Sequence, residues 1–146
     1  MSKIRRFSKI EIENDDFLKL TYRDKEKDAV VINIDNLEAI IMSDNNCIKF
    51  YGTSCGELNA TFEDCLQLRN VISQSFKFVI CGDAVFVLNK VIDCNKDARR
   101  GSVIVDCEYG SYEINLYHKF EKANDLFCAL QKKYQKGLNT KFTMDT

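Results

Sequence analysis

The sequence predicts an α+β fold that is mostly antiparallel β: a tandem strand–strand–strand–strand–helix duplication packed as one compact domain, with an extra N-terminal hairpin. Three observations predict it. Short apolar runs with a period of two dominate the chain, two stretches switch to helical period, and the two halves echo one another.

The runs come first. IEIEN and FLKLTY supply the N-terminal hairpin. AVVINI, LEAIIM, CIKFY and ELNAT follow, and after them KFVIC, AVFVLN, KVIDC, SVIVDC and YEINLYH. All are short and rich in β-branched or aromatic residues, which suit a pleated, half-buried surface. Turn signals separate them: Asp35-Asn36, Asp44-Asn45-Asn46, Gly82-Asp83 and Gly110-Ser111. The last two place Gly first in a two-residue connection, as a type II′ hairpin requires.

Two stretches read as helices. TFEDCLQLRNVIS (61–73) opens on Thr61 with Asp64 three residues later, an approximate capping box. Its expected inner face is Phe62, Cys65, Leu68 and Ile72. KFEKANDLFCALQKKYQK (119–136) gathers Phe120, Ala123, Leu126, Phe127, Leu130 and Tyr134 on one face, and Gly137 can cap it.

The halves then align. Ala29-Val30 matches Ala84-Val85, Leu37 matches Ile92, and Leu58-Asn59 matches Ile114-Asn115 with a small shift. The helices align without gaps from Phe62 against Phe120. A four-stranded meander ending in a helix is half-exposed alone, and two copies can cover each other's apolar faces. The expected organisation is a single domain over 1–146: hairpin 1–28, first copy 29–74, second copy 75–136, and an irregular tail 137–146.

Composition narrows the function. The chain has 146 residues, 45% hydrophobic and 29% charged, which is ordinary for a soluble globular protein. No apolar run approaches the ~20 residues of a membrane span, and MSKIRRFSKIEIEN has no apolar core of a secretory signal. The expected location is the cytoplasm. Seven cysteines, an odd count with no CxxC pair and one His, favour reduced thiols packed as small hydrophobes over a metal site or a disulfide framework. Charge is uneven: net +4 over residues 1–10, −5 over 11–50, −2 over 51–95 and +2 over 96–146.

Nucleotide- and phosphate-cradling motifs are missing. The sequence has no GxxxxGK[ST] and no GxGxxG. His118 sits alone at a strand-to-helix junction, and adjacent carboxylates such as Asp15-Asp16 read as solvated charge. The chain is therefore expected not to be an enzyme and to hold no cofactor or metal. The candidate binding residues are Lys96, Arg99 and Arg100 in NKDARRGS (95–102), with Tyr109 and Tyr112 on the following hairpin. The counterpart of that basic loop in the first copy is the short acidic-polar turn SDNN (43–46). Interfaces favour Tyr and Arg, and exposed strand aromatics beside basic residues can stack bases.

The tandem layout resembles that of single-stranded nucleic-acid binders, including the whirly proteins and purine-rich-element binders. It also resembles LytTR-type transcription-factor domains, with TFEDCLQL falling at their short helix. Two functions follow. The leading expectation is a small soluble interaction protein that binds or blocks a protein partner, as an inhibitor or accessory subunit, of viral or mobile-element origin. The alternative is a single-stranded nucleic-acid or nucleotide-binding module that uses the basic loop and sheet-face tyrosines. Strand edges that need protection also make a homodimer an expected arrangement.

Overall fold

The computed structural model describes residues 5–25, 27–43, 46–75, 77–81, 84–97, 99, 101–115 and 143–144. The second helical stretch, 119–136, lies outside the described residues.

Among the described residues, twelve strands and one α-helix run in the order β1 (Phe7–Glu13), β2 (Phe17–Tyr22), β3 (Ala29–Asn33), β4 (Leu37–Ser43), β5 (Cys47–Gly52), β6 (Gly56–Asn59), α1 (Phe62–Ser73), β7 (Phe78–Cys81), β8 (Ala84–Val87), β9 (Val91–Asp97), β10 (Ser102–Cys107), β11 (Ser111–Asn115) and β12 (Thr143–Met144). They form three sheets: β1-β2-β3, then β12-β7-β8-β4-β5-β6, then β11-β10-β9. Every pairing is antiparallel except that of β12 with β7. The class is thus α+β with mostly antiparallel sheets, as the period-two runs require.

The sheets stack as layers. Residues of the middle sheet alternate between two cores. Ile40, Met42, Ile48, Phe50, Phe78, Ile80, Val85 and Val87 face β1, β2 and α1, meeting Phe7, Ile10, Leu18, Leu20, Leu68 and Ile72. Ala39, Val79, Ala84 and Phe86 face the third sheet, meeting Val91, Cys94, Val103, Val105, Cys107 and Ile114. A sheet buried on both faces needs apolar residues at every position, which is why FVIC and AVFV show no alternation. Each large aliphatic or aromatic side chain removed from water contributes about 1.5–3 kcal/mol.

Two 3-10 turns step the chain between layers. Ile34–Asn36 joins β3 to β4, and Leu88–Lys90 joins β8 to β9. Local details recur around them. Ile34 N–H donates to Asp16 O at 2.8 Å, and Leu88 N–H to Lys77 O at 2.8 Å. Thr53 N–H donates to Asn36 O at 3.0 Å, and Glu108 N–H to Lys90 O at 3.1 Å. A register shift follows each turn. Leu37 pairs with Gly52 but Ala39 with Tyr51, so Glu38 bulges from β4. Val91 pairs with Cys107 but Asp93 with Asp106, so Ile92 bulges from β9.

Several expectations change. The N-terminal hairpin does not stand apart, because β3, assigned above to the first copy, pairs with β2 and completes its sheet. Asp35-Asn36 marks a step between layers, not a hairpin reversal. Gly110-Ser111 is not a two-residue turn: Asp106 pairs with Ser111, and the connection is Glu108-Tyr109-Gly110, closed by Cys107 N–H to Gly110 O at 2.8 Å. Gly82 and Asp83 lie outside the described residues. In α1, Leu68 and Ile72 are buried and Cys65 packs partly against the core, but Phe62 is 71% exposed. Asp64 takes an inward place instead. Its N–H donates to the Thr61 cap oxygen at 3.2 Å and its carboxylate accepts Phe7 N–H at 3.4 Å.

Candidate functional site

The basic loop is the tip of the β9–β10 hairpin. Ser102 pairs with Asp97 and Val103 with Lys96, so Arg99 and Gly101 lie in the tip. Gly101 has φ 60°, a conformation that glycine adopts without steric cost. The Asp97 side chain accepts Arg99 N–H at 3.1 Å and so shapes the tip locally. Arg99 is exposed. Lys96 belongs to β9 by its backbone; its side chain and all of Arg100 lie outside the described residues.

Tyr109 and Tyr112 sit elsewhere. Tyr109 occupies the turn at the opposite end of β10, a strand of six residues or about 20 Å. Its ring is exposed. Tyr112 points inward from β11, half-buried. Its ring lies 5.6 Å from that of Tyr51 and 5.8 Å from that of Phe86. The structure therefore places Arg99 and Tyr109 at opposite ends of β10, and Tyr112 is not on an open sheet face.

Both tyrosines converge on Glu38, a residue the sequence reading passed over. The bulge in β4 turns this side chain toward the third layer, where it is fully buried. Its carboxylate accepts Tyr109 N–H at 2.7 Å through Oε1 and the Tyr112 hydroxyl through Oε2. Burial, and then Glu38, push the Tyr112 phenol above its ordinary range. Burial, with Glu38 and Asp106 behind it, pushes the Cys107 thiol up to about 12. The available signal was a lone acid inside the apolar run LEAIIM.

Other cysteines divide by burial: Cys47 and Cys94 are buried, Cys65 is intermediate, and Cys55 is exposed. Among the described residues no group of three His, Cys, Asp or Glu is arranged to hold a metal. A groove of about 370 Å³ lies beside β3 and the β5–β6 connection, lined by Val30, Ile32, Phe50, Cys55 and Leu58 among others.

The two ends of the layered stack differ in charge. At one end lie the 23–28 loop, the start of α1 and the turn before β5. Arg5 packs 3.7 Å over the Tyr22 ring and pairs with Asp24 at 2.9 Å and Asp28 at 2.7 Å. The hydrogen bonds to Asp24 and Asp28 raise the Arg5 pKa further and fix its charge, and Arg5 in turn lowers that of Asp24. Arg6 pairs with Glu63 at 2.6 Å. Arg23, Lys25 and Lys27 are exposed there. The other end holds both 3-10 turns and exposed Asp15, Asp16, Asp35 and Glu108. Lys77 reaches Asp16 at 3.6 Å, and Lys90 reaches Glu108 at 3.3 Å. β9 starts at that acidic end and runs back over the middle sheet, so it carries the Arg99 tip toward the basic end.

No protein-family model matches the chain, and no curated protein does. A solved structure is similar in fold: the LytTr DNA-binding domain of a Bacillus cereus protein described as a methyl-accepting/DNA response regulator. The match has a TM-score of 0.51 at 9% identity and covers 81% of this chain and 98% of that one. This finding corrects the leading functional expectation. An inhibitor or accessory subunit that blocks a protein partner finds no support, and the nucleic-acid alternative fits the fold relationship better. No helix among the described residues is long and apolar enough to cross a membrane.

Proposed function

We propose that the chain is a nucleic-acid-binding module that contacts DNA through the basic end of its layered stack. The observation that carries this reading is the fold similarity to a LytTr DNA-binding domain over nearly the whole of that domain. The position of Arg99 supports it. Its loop holds the backbone by an Asp97 bond and leaves the guanidinium exposed, and Arg23, Lys25 and Lys27 are exposed toward the same end, two layers away. The two basic groups lie on the outer two layers, an arrangement that can engage phosphates on separate parts of a duplex. Stacking on Tyr112 is not part of the reading, since that ring is turned into the core.

In this reading the protein is non-enzymatic and acts in the cytoplasm. The chain is also read as a duplication. The paired 3-10 turns, the two matching sets of backbone hydrogen bonds and the two bulges support it. They move the start of the first unit back to β2, matching β7, and leave β1 as the added strand.

Fluorescence anisotropy with duplex and single-stranded oligonucleotides tests the function. The expected result is duplex binding at low salt that weakens steeply as salt rises, with a log–log slope set by the number of phosphates contacted. An absence of binding to both forms at low salt would overturn the proposal.

A further inference from the structure

We propose that Glu38 is an interlayer latch: its buried carboxylate fastens the β10–β11 turn to the middle sheet, and losing that charge frees the turn without unfolding the other layers. The case begins with the bulge. A regular β4 would pair Glu38 across β5 and leave its side chain in the pleat, whereas the extra residue re-aims it toward the third layer. A fully buried carboxylate is costly unless its oxygens are satisfied. Here each oxygen takes one donor, and both donors come from a single short segment of the third layer, the Tyr109 N–H and the Tyr112 hydroxyl. Gly110 closes over the site. A Cβ at that position would stand 3.5 Å from Oε2 and 3.5 Å from the Tyr112 hydroxyl.

Bonds to an ionised acceptor are roughly twice as strong as neutral ones, so the charge holds the turn. The third layer otherwise meets the middle sheet through apolar contacts, which do not depend on Glu38. Opening is therefore expected to stay local. Tyr112 and Cys107 adjoin the carboxylate in the third layer, and Tyr51 and Cys55 adjoin Tyr112 from the middle-sheet side. Asp106, bonded to Ser111 at 2.6 Å, and the Lys90–Glu108 pair stand at the rim.

Hydrogen exchange, read as protection factors, tests the latch. Glu38→Gln keeps the size of the side chain and removes the charge. The expected result is a loss of protection at Tyr109, on the order of tenfold to a hundredfold, confined to 108–112. Protection that is unchanged, or lost evenly across all three sheets, would overturn the proposal. If Glu38→Gln does not fold, Tyr112→Phe decides by the same criteria, since it removes one donor and leaves the charge in place.

Discussion

Gly52 is the position where one methyl group should cost the most. The bulge at Glu38 draws the Asn36–Leu37 backbone across the end of β5, where Gly52 pairs with Leu37. A Cβ on Gly52 would overlie the Asn36 carbonyl oxygen, 2.8 Å from the carbonyl carbon and 3.0 Å from Leu37 Cα. All three are backbone atoms, so no side chain can swing aside. Gly52→Ala must push the 3-10 turn away, and that movement breaks the Thr53 N–H to Asn36 O bond. Overpacking of this kind costs about 1–3 kcal/mol and a lost hydrogen bond about 1 kcal/mol. A total of about 3 kcal/mol is a large share of the 5–15 kcal/mol that stabilises a typical domain. For a chain of this size it lowers Tm by about 10 °C. Urea and thermal unfolding measure it, with Gly56→Ala as the control, because a Cβ there meets nothing within 4 Å. A Gly52→Ala protein as stable as the Gly56→Ala control would refute the reasoning.

Further outcomes are open to measurement. Thr61→Ala removes the oxygen that accepts Asp64 N–H, and should cost about 1 kcal/mol in chemical denaturation. Cys107 binds its proton more tightly folded, with a pKa of about 12, than its ordinary value of 9.0. Its contribution is thus complete below about pH 9 and is lost as pH rises toward 12, at about 1.4 kcal/mol per unit. A Cys107→Ala protein should show a shallower alkaline slope, and equal slopes would contradict this. Alkylation followed by peptide mass mapping should label exposed Cys55 well before Cys107. Arg99→Glu should weaken duplex binding and reduce the steepness of its salt dependence, whereas an unchanged titration would remove Arg99 from the interface.

The fold class was legible because strand pairing has a short period. FLKLTY alternates as a half-buried strand must, and the structure places it at Phe17–Tyr22. The Thr61 cap was legible for the same local reason. Phe62 was not, since a first-turn residue can face either way and the place at the core went to Asp64, which bonds Phe7 57 residues earlier in the chain. The loop 95–102 could be located by composition, but its separation from Tyr109 follows from the length of β10.

The sequence by itself determined which segments form strands and where α1 starts. These depend on residues close together along the chain. Only the tertiary structure decided that two 3-10 turns would carry the chain from layer to layer and that Glu38 would bulge into the third layer. It alone decided that Tyr112 would face inward and that the Arg99 tip would lie toward the basic end. Those outcomes depend on contacts between residues 19 to 74 positions apart, such as Arg5 with Asp24 and Glu38 with Tyr112. A local pattern of apolar and polar residues does not encode which distant partner completes a buried charge.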